Sequence, residues 1–85
     1  MNHQTTLGRL RAGERARILQ VEAPDEAMTR AFLEMGILEG SVIRVMHEAP
    51  LGRDPIAVQV RGALIALRRQ EADFVRVESL RGDEE

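Results

Sequence analysis

Apolar positions along this chain fall into short runs that keep two different periods. Val42 to His47 opens the densest region, with β-branched residues at Val42, Ile43 and Val45. Ile56, Val58 and Val60 then alternate with other residues, the period of a strand with one buried face. A third run, Ala63 to Leu67, follows after only Arg61-Gly62, and Gly62 supplies the positive φ that a two-residue hairpin demands. One medium loop and one tight turn joining three strands predict an antiparallel meander. Ahead of it, Met28, Ala31, Phe32 and Met35 recur at helical spacing and predict a helix with a single apolar stripe.

Punctuation residues sharpen the boundaries. Ala23-Pro24-Asp25 starts the helix, with Asp25 as cap and Glu26 in the first turn where the helix dipole favours an anion. Gly36 is the left-handed residue that stops it, which sets Ile37 over Phe32. Glu39-Gly40 forms the centre of a type II turn. Upstream, Leu7 and Leu10 form a short turn that lays two apolar side chains on the core. Glu14 to Val21 is a strand whose apolar residues Ala16, Ile18, Leu19 and Val21 break alternation, as a bulge or burial on both faces would make them do. Downstream, Arg68 to Asp73 is long enough for one 3-10 or helical turn, and Phe74 to Glu78 is a closing strand with Val75 and Val77 inward.

The expected fold is therefore mainly β: a small, partly open, SH3-like five-stranded barrel with one α-helix inserted after the first strand. Residues 1–6 are expected as a disordered tail, residues 7–79 as the domain, and residues 80–85 as an acidic tail. Gly36, Gly40 and Gly62 are the structural turns.

Composition changes this picture mainly by exclusion. Eighty-five residues hold one domain, and 44% apolar content suits a globular chain. With no cysteine, disulfides and thiolate metal sites are ruled out. No apolar run approaches the roughly 20 residues of a membrane span, and no secretory leader is recognisable, so the expected location is cytoplasmic. All twelve basic residues are arginine and the net charge is −2, with Arg68-Arg69 the only basic doublet. Such a mixed surface lacks the basic stripe that displaces counterions, and no Tyr or Trp is present to stack bases, so no nucleic-acid partner is expected. The same lack of aromatic residues disfavours proline-rich peptides as ligands.

Catalysis needs an activated nucleophile or a metal with an open position. Ser41 follows the Gly40 turn and is better placed to bond its own backbone. No P-loop and no dinucleotide fingerprint occurs, so an enzyme is not expected.

An ordered series of residues does carry a resemblance. Leu10, Gly13, Ile18, Phe32 and Met35-Gly36-Ile37 form its first half. Gly40, Val45, Pro50, Asp54-Pro55, Val58, Gly62, Ile65-Ala66-Leu67-Arg68 and Glu71-Ala72 continue it. Over residues 7 to 78 the chain resembles the ferrous-iron transport protein A family, FeoA. It departs from that family at Glu39, where proline is usual. The resemblance implies an SH3-like accessory protein of ferrous iron uptake. Its partner would be the FeoB-type permease, whose transport or GTPase activity it would modulate by protein contact, peripheral to the membrane only through that partner. The alternative it implies is a metal-responsive SH3-like module of the kind found in iron-dependent repressors, where transition metal binding would belong.

No cofactor and no resident metal is expected. His3 lies in the tail, while His47 and Glu48 are adjacent on a strand and so face opposite ways. A partner surface is expected in the loop from Ala49 to Pro55. Pro50 and Pro55 stiffen it, and Leu51, Arg53, Asp54 and Pro55 are the candidate contact residues. The exposed helix face at Arg30 and Glu34 is a second candidate surface. The open barrel edge is a third, and a route to a homo-oligomer.

Overall fold

In a computed structural model the described residues are 3–80. Branched apolar residues at every second position give the strands one inner face. Ile43 and Val45 on β3 (Val42–Glu48), Val58 on β4 (Ile56–Val60), and Val75 and Val77 on β6 (Val75–Leu80) are fully buried. The remaining strands are β1 (His3–Thr6), β2 (Arg15–Val21) and β5 (Ala63–Leu67). All pairings are antiparallel, in the order β1-β6-β2-β3-β4-β5. The two ends of that order, β1 and β5, do not pair with each other, so the barrel is partly open.

The meander keeps the boundaries read from the pattern for β4 and β5. Arg61 (φ 51°) and Gly62 (φ 83°) both take positive φ, the backbone of a two-residue hairpin turn that matches strand twist. A register shift between Ile18 and Gln20 puts a bulge in β2, which explains its broken alternation.

The helix α1 (Glu26–Met35) follows β2. Asp25 Oδ1 accepts from Met28 N–H at 2.9 Å at its start. At its end, Gly36 N–H bonds Leu33 O at 3.0 Å and Ile37 N–H bonds Phe32 O at 2.9 Å, the paired closure of a left-handed stop. That closure drives Ile37 and Phe32 into the core together. The rest of the stripe is less covered: Met28, Ala31 and Met35 stay half-buried.

Two expectations need correction. The sheet has six strands, not five, and the helix follows the second. His3–Thr6, assigned to a disordered tail, pairs with β6 from His3 opposite Ser79 to Thr6 opposite Arg76. Its sequence, His-Gln-Thr-Thr, contains no apolar residue, so no periodicity announced it; the backbone ladder alone makes it a strand. Leu80, placed in the acidic tail, ends β6. The rest of that tail, and the first two residues, lie outside the described residues.

Candidate functional site

The loop between β3 and β4 is shaped by its own backbone first. Ala49 N–H bonds Pro55 O at 3.0 Å and closes the loop at its base. Gly52 (φ 75°) and Arg53 (φ 58°) are consecutive left-handed residues at the tip, and the Asp54-Pro55 bond is cis. Leu51 faces outward, 90% exposed, with Arg53 exposed beside it.

One residue from a distant part of the chain fastens this loop. Arg69 opens the short helix α2 (Arg69–Ala72), and its N–H donates to Asp54 Oδ1 at 3.0 Å. Its guanidinium donates from Nε to Arg53 O at 2.8 Å and from Nη2 to Glu48 Oε2 at 2.5 Å. From Nη1 it reaches Gly8 O at 2.9 Å and Leu10 O at 2.7 Å, on and just after the 3-10 turn Leu7–Arg9. Five bonds from one residue therefore hold the loop, the end of β3 and the N-terminal turn in one arrangement. A planar fork of fixed donors suits this task better than a lysine would.

Glu48 completes the clamp. Arg11 Nε donates to its Oε2 at 3.0 Å from the outside. Burial pushes the Glu48 carboxyl up, but the hydrogen bonds from Arg11 and from Ala12 N–H, with the charges of Arg11 and Arg69, outweigh it. They hold the carboxyl below the ordinary glutamate range.

The candidate contact residues therefore divide. Leu51 and Arg53 stand at the tip and face solvent. Asp54 is taken up in holding α2, and Pro55 is half-buried at the loop base. His47 lies with Pro50, Pro55, Ala57 and Ala66 around a shallow outer groove. Glu48 lines the same groove, with its Oε2 taken by Arg69 and Arg11. Among the described residues, no group of three His, Cys, Asp or Glu side chains is placed to hold a metal ion. Among them, too, no helix is long and apolar enough to cross a membrane.

Sequence reasoning missed Arg69 and Glu48. The arginine doublet was visible, but Arg69's partners lie 15 to 61 positions away, and no local spacing reports them.

A second feature lies beside α1. Met28, Ala31, Met35 and Leu67, with Asp25 and Glu71, line a largely apolar groove of about 340 Å³ between the helix and the end of β5.

An open antiparallel sheet curled around one core, with a single long helix laid across it, defines the SH3-like class of small barrels. Within that class residues 5–79 match the FeoA domain, and the chain belongs to the FeoA domain family. It is 36% identical over 72 residues to the Fe(2+) transport protein A/Fe(2+) transporter FeoB fusion protein of Porphyromonas gingivalis (strain ATCC BAA-308 / W83). That match covers 85% of this chain and 8% of the relative, so the chain spans a small part of that protein's length. The solution structure of FeoA protein from Chlorobium tepidum is 40% identical, with a TM-score of 0.81, covering 94% of this chain and 74% of that one. A manganese-dependent transcriptional repressor is 25% identical with a TM-score of 0.80, covering 94% of this chain and 44% of that one.

Proposed function

We propose that this chain is a cytoplasmic, non-catalytic accessory protein of ferrous iron uptake. It docks on a FeoB-type permease and modulates that protein's transport or GTPase activity by contact alone. The fusion relative carries the reading, because there a FeoA-like region and the transporter share one polypeptide. Tethering of that kind raises effective concentration and favours partners that touch.

The loop tip is the proposed contact. Leu51 offers apolar area and Arg53 a cation, on a backbone already held by Arg69, so little ordering entropy is lost on binding. Calorimetric titration of the purified permease, membrane part included, tests this in each nucleotide state. Saturable binding is expected, weakened about tenfold or more in the Leu51→Ala/Arg53→Ala double variant. Absence of binding in every nucleotide state would remove the proposal.

A second reading is favoured by the repressor likeness: a metal-responsive regulatory module. It predicts a saturable thermal shift with Mn(II) or Fe(II) that His47→Ala abolishes. An unchanged melting curve with either metal counts against it.

A further inference from the structure

The strand β5 ends the sheet and carries none of the features that normally guard an edge. Its five residues, Ala63-Leu64-Ile65-Ala66-Leu67, include no charge and no proline, and its pairing with β4 runs without a bulge. Val60 and Ala63 close the two-residue hairpin, so Ala63, Ile65 and Leu67 aim their backbone groups at β4. Leu64 and Ala66 aim theirs away. Among the described residues, none of the loop and cap hydrogen bonds reaches either of them. Leu64 is also 62% exposed. At the Leu67 end of this edge, α1 is set back by the groove lined by Met28, Ala31 and Met35, with Asp25 and Glu71 at its polar positions.

We infer that the free edge of β5 accepts an extended segment of the proposed permease partner as an added antiparallel strand. The segment is apolar at alternate positions and acidic at both ends. The inference rests on the docking reading above and specifies how docking occurs. Main-chain pairing at Leu64 and Ala66 supplies the register, and inward side chains of the added strand fall toward the open groove. Exposed Arg61 and Arg68 flank the strand, and carboxylates at the segment ends complement them. A second copy of this chain fits less well. Antiparallel pairing of β5 with its own copy brings exposed Arg61 of one beside exposed Arg68 of the other, twice.

Ala66→Pro tests the edge directly, since it deletes an outward N–H while leaving the bonds to β4 intact, and edge strands accept proline. With the purified permease as the probe, it should weaken binding about tenfold or more while leaving the unfolding midpoint unchanged. Amide exchange at Leu64 and Ala66 should slow in the wild-type complex. Leu64→Lys, which keeps the backbone, should weaken binding as well if Ala66→Pro fails to fold. Wild-type affinity in whichever variant is folded, or unchanged exchange at both amides, overturns the edge inference and leaves the docking reading standing. No binding by the wild-type chain overturns both. A dimer of the free chain in sedimentation, lost in Ala66→Pro, makes the occupant a second copy and overturns the inference as stated.

Discussion

The two edges of this sheet are built on opposite principles. At β1 every residue is polar, and the chain beyond it is stitched in place. Thr6 Oγ1 donates to Asp73 Oδ1 at 2.7 Å, Leu7 and Gly8 are buried, and Arg69 takes the Gly8 and Leu10 carbonyls. At β5 every residue is apolar, no side-chain hydrogen bond is available to it, and its outer backbone groups have no acceptor or donor in the described chain. Directional bonds to buried carbonyls fix one geometry and penalise every other. Apolar side chains at an open edge set no such penalty, so that edge stays receptive. The candidate contact loop is tied to the first edge through Arg69, and the receptive strand follows one hairpin later.

The stitched edge is most vulnerable at Gly8. A Cβ there would overlap Asp73 Oδ1 and lie 2.5 Å from the Arg69 carbonyl oxygen. Backbone must move, so Gly8→Ala should cost about 3 kcal/mol in urea unfolding and separate the turn from α2.

Arg69→Ala comes next. It orphans the Gly8, Leu10 and Arg53 carbonyls and leaves Glu48 with Arg11 and the Ala12 N–H, a loss of about 2 kcal/mol by thermal or urea unfolding. Arg69→Lys should recover less than half of it, because one ammonium cannot reach four acceptors in a plane. Amide exchange in residues 49–55 should quicken in both variants, while β5 exchange stays as in wild type.

The smallest effect is the pH dependence that Glu48 contributes. Its carboxyl titrates below the ordinary range in the folded chain, so its stabilising share is present above the unfolded value and lost as pH falls through the folded one. Glu48→Gln should therefore be least favourable relative to wild type near neutrality, with the gap closing in acid. Urea midpoints measured from about pH 3 to 7 would show it, and a constant gap would contradict it.

Much of the fold was legible because its cues are local. Gly36, Gly40 and Gly62 sit where the backbone takes positive φ; alternation gave the ends of β4, and the apolar run after the Arg61-Gly62 turn gave those of β5. The stop at Gly36 also placed Ile37 against Phe32. The candidate contact residues were less legible. Leu51 and Arg53 stand outward, while Asp54 also holds α2 through a bond to a residue fifteen positions on, which no local cue reports.

What the sequence determined by itself was periodicity, caps and turns: which segments extend, which coils, and which face of each is apolar. Tertiary structure alone decided that His3–Thr6 would become a strand, and that Arg69 would gather Gly8, Leu10, Glu48 and Arg53 around one guanidinium. Periodicity reports interactions among near neighbours in the chain. Ladder bonds to a polar strand and a charged fork among backbone carbonyls join residues far apart in sequence, and they exist only once the sheet has brought those residues together.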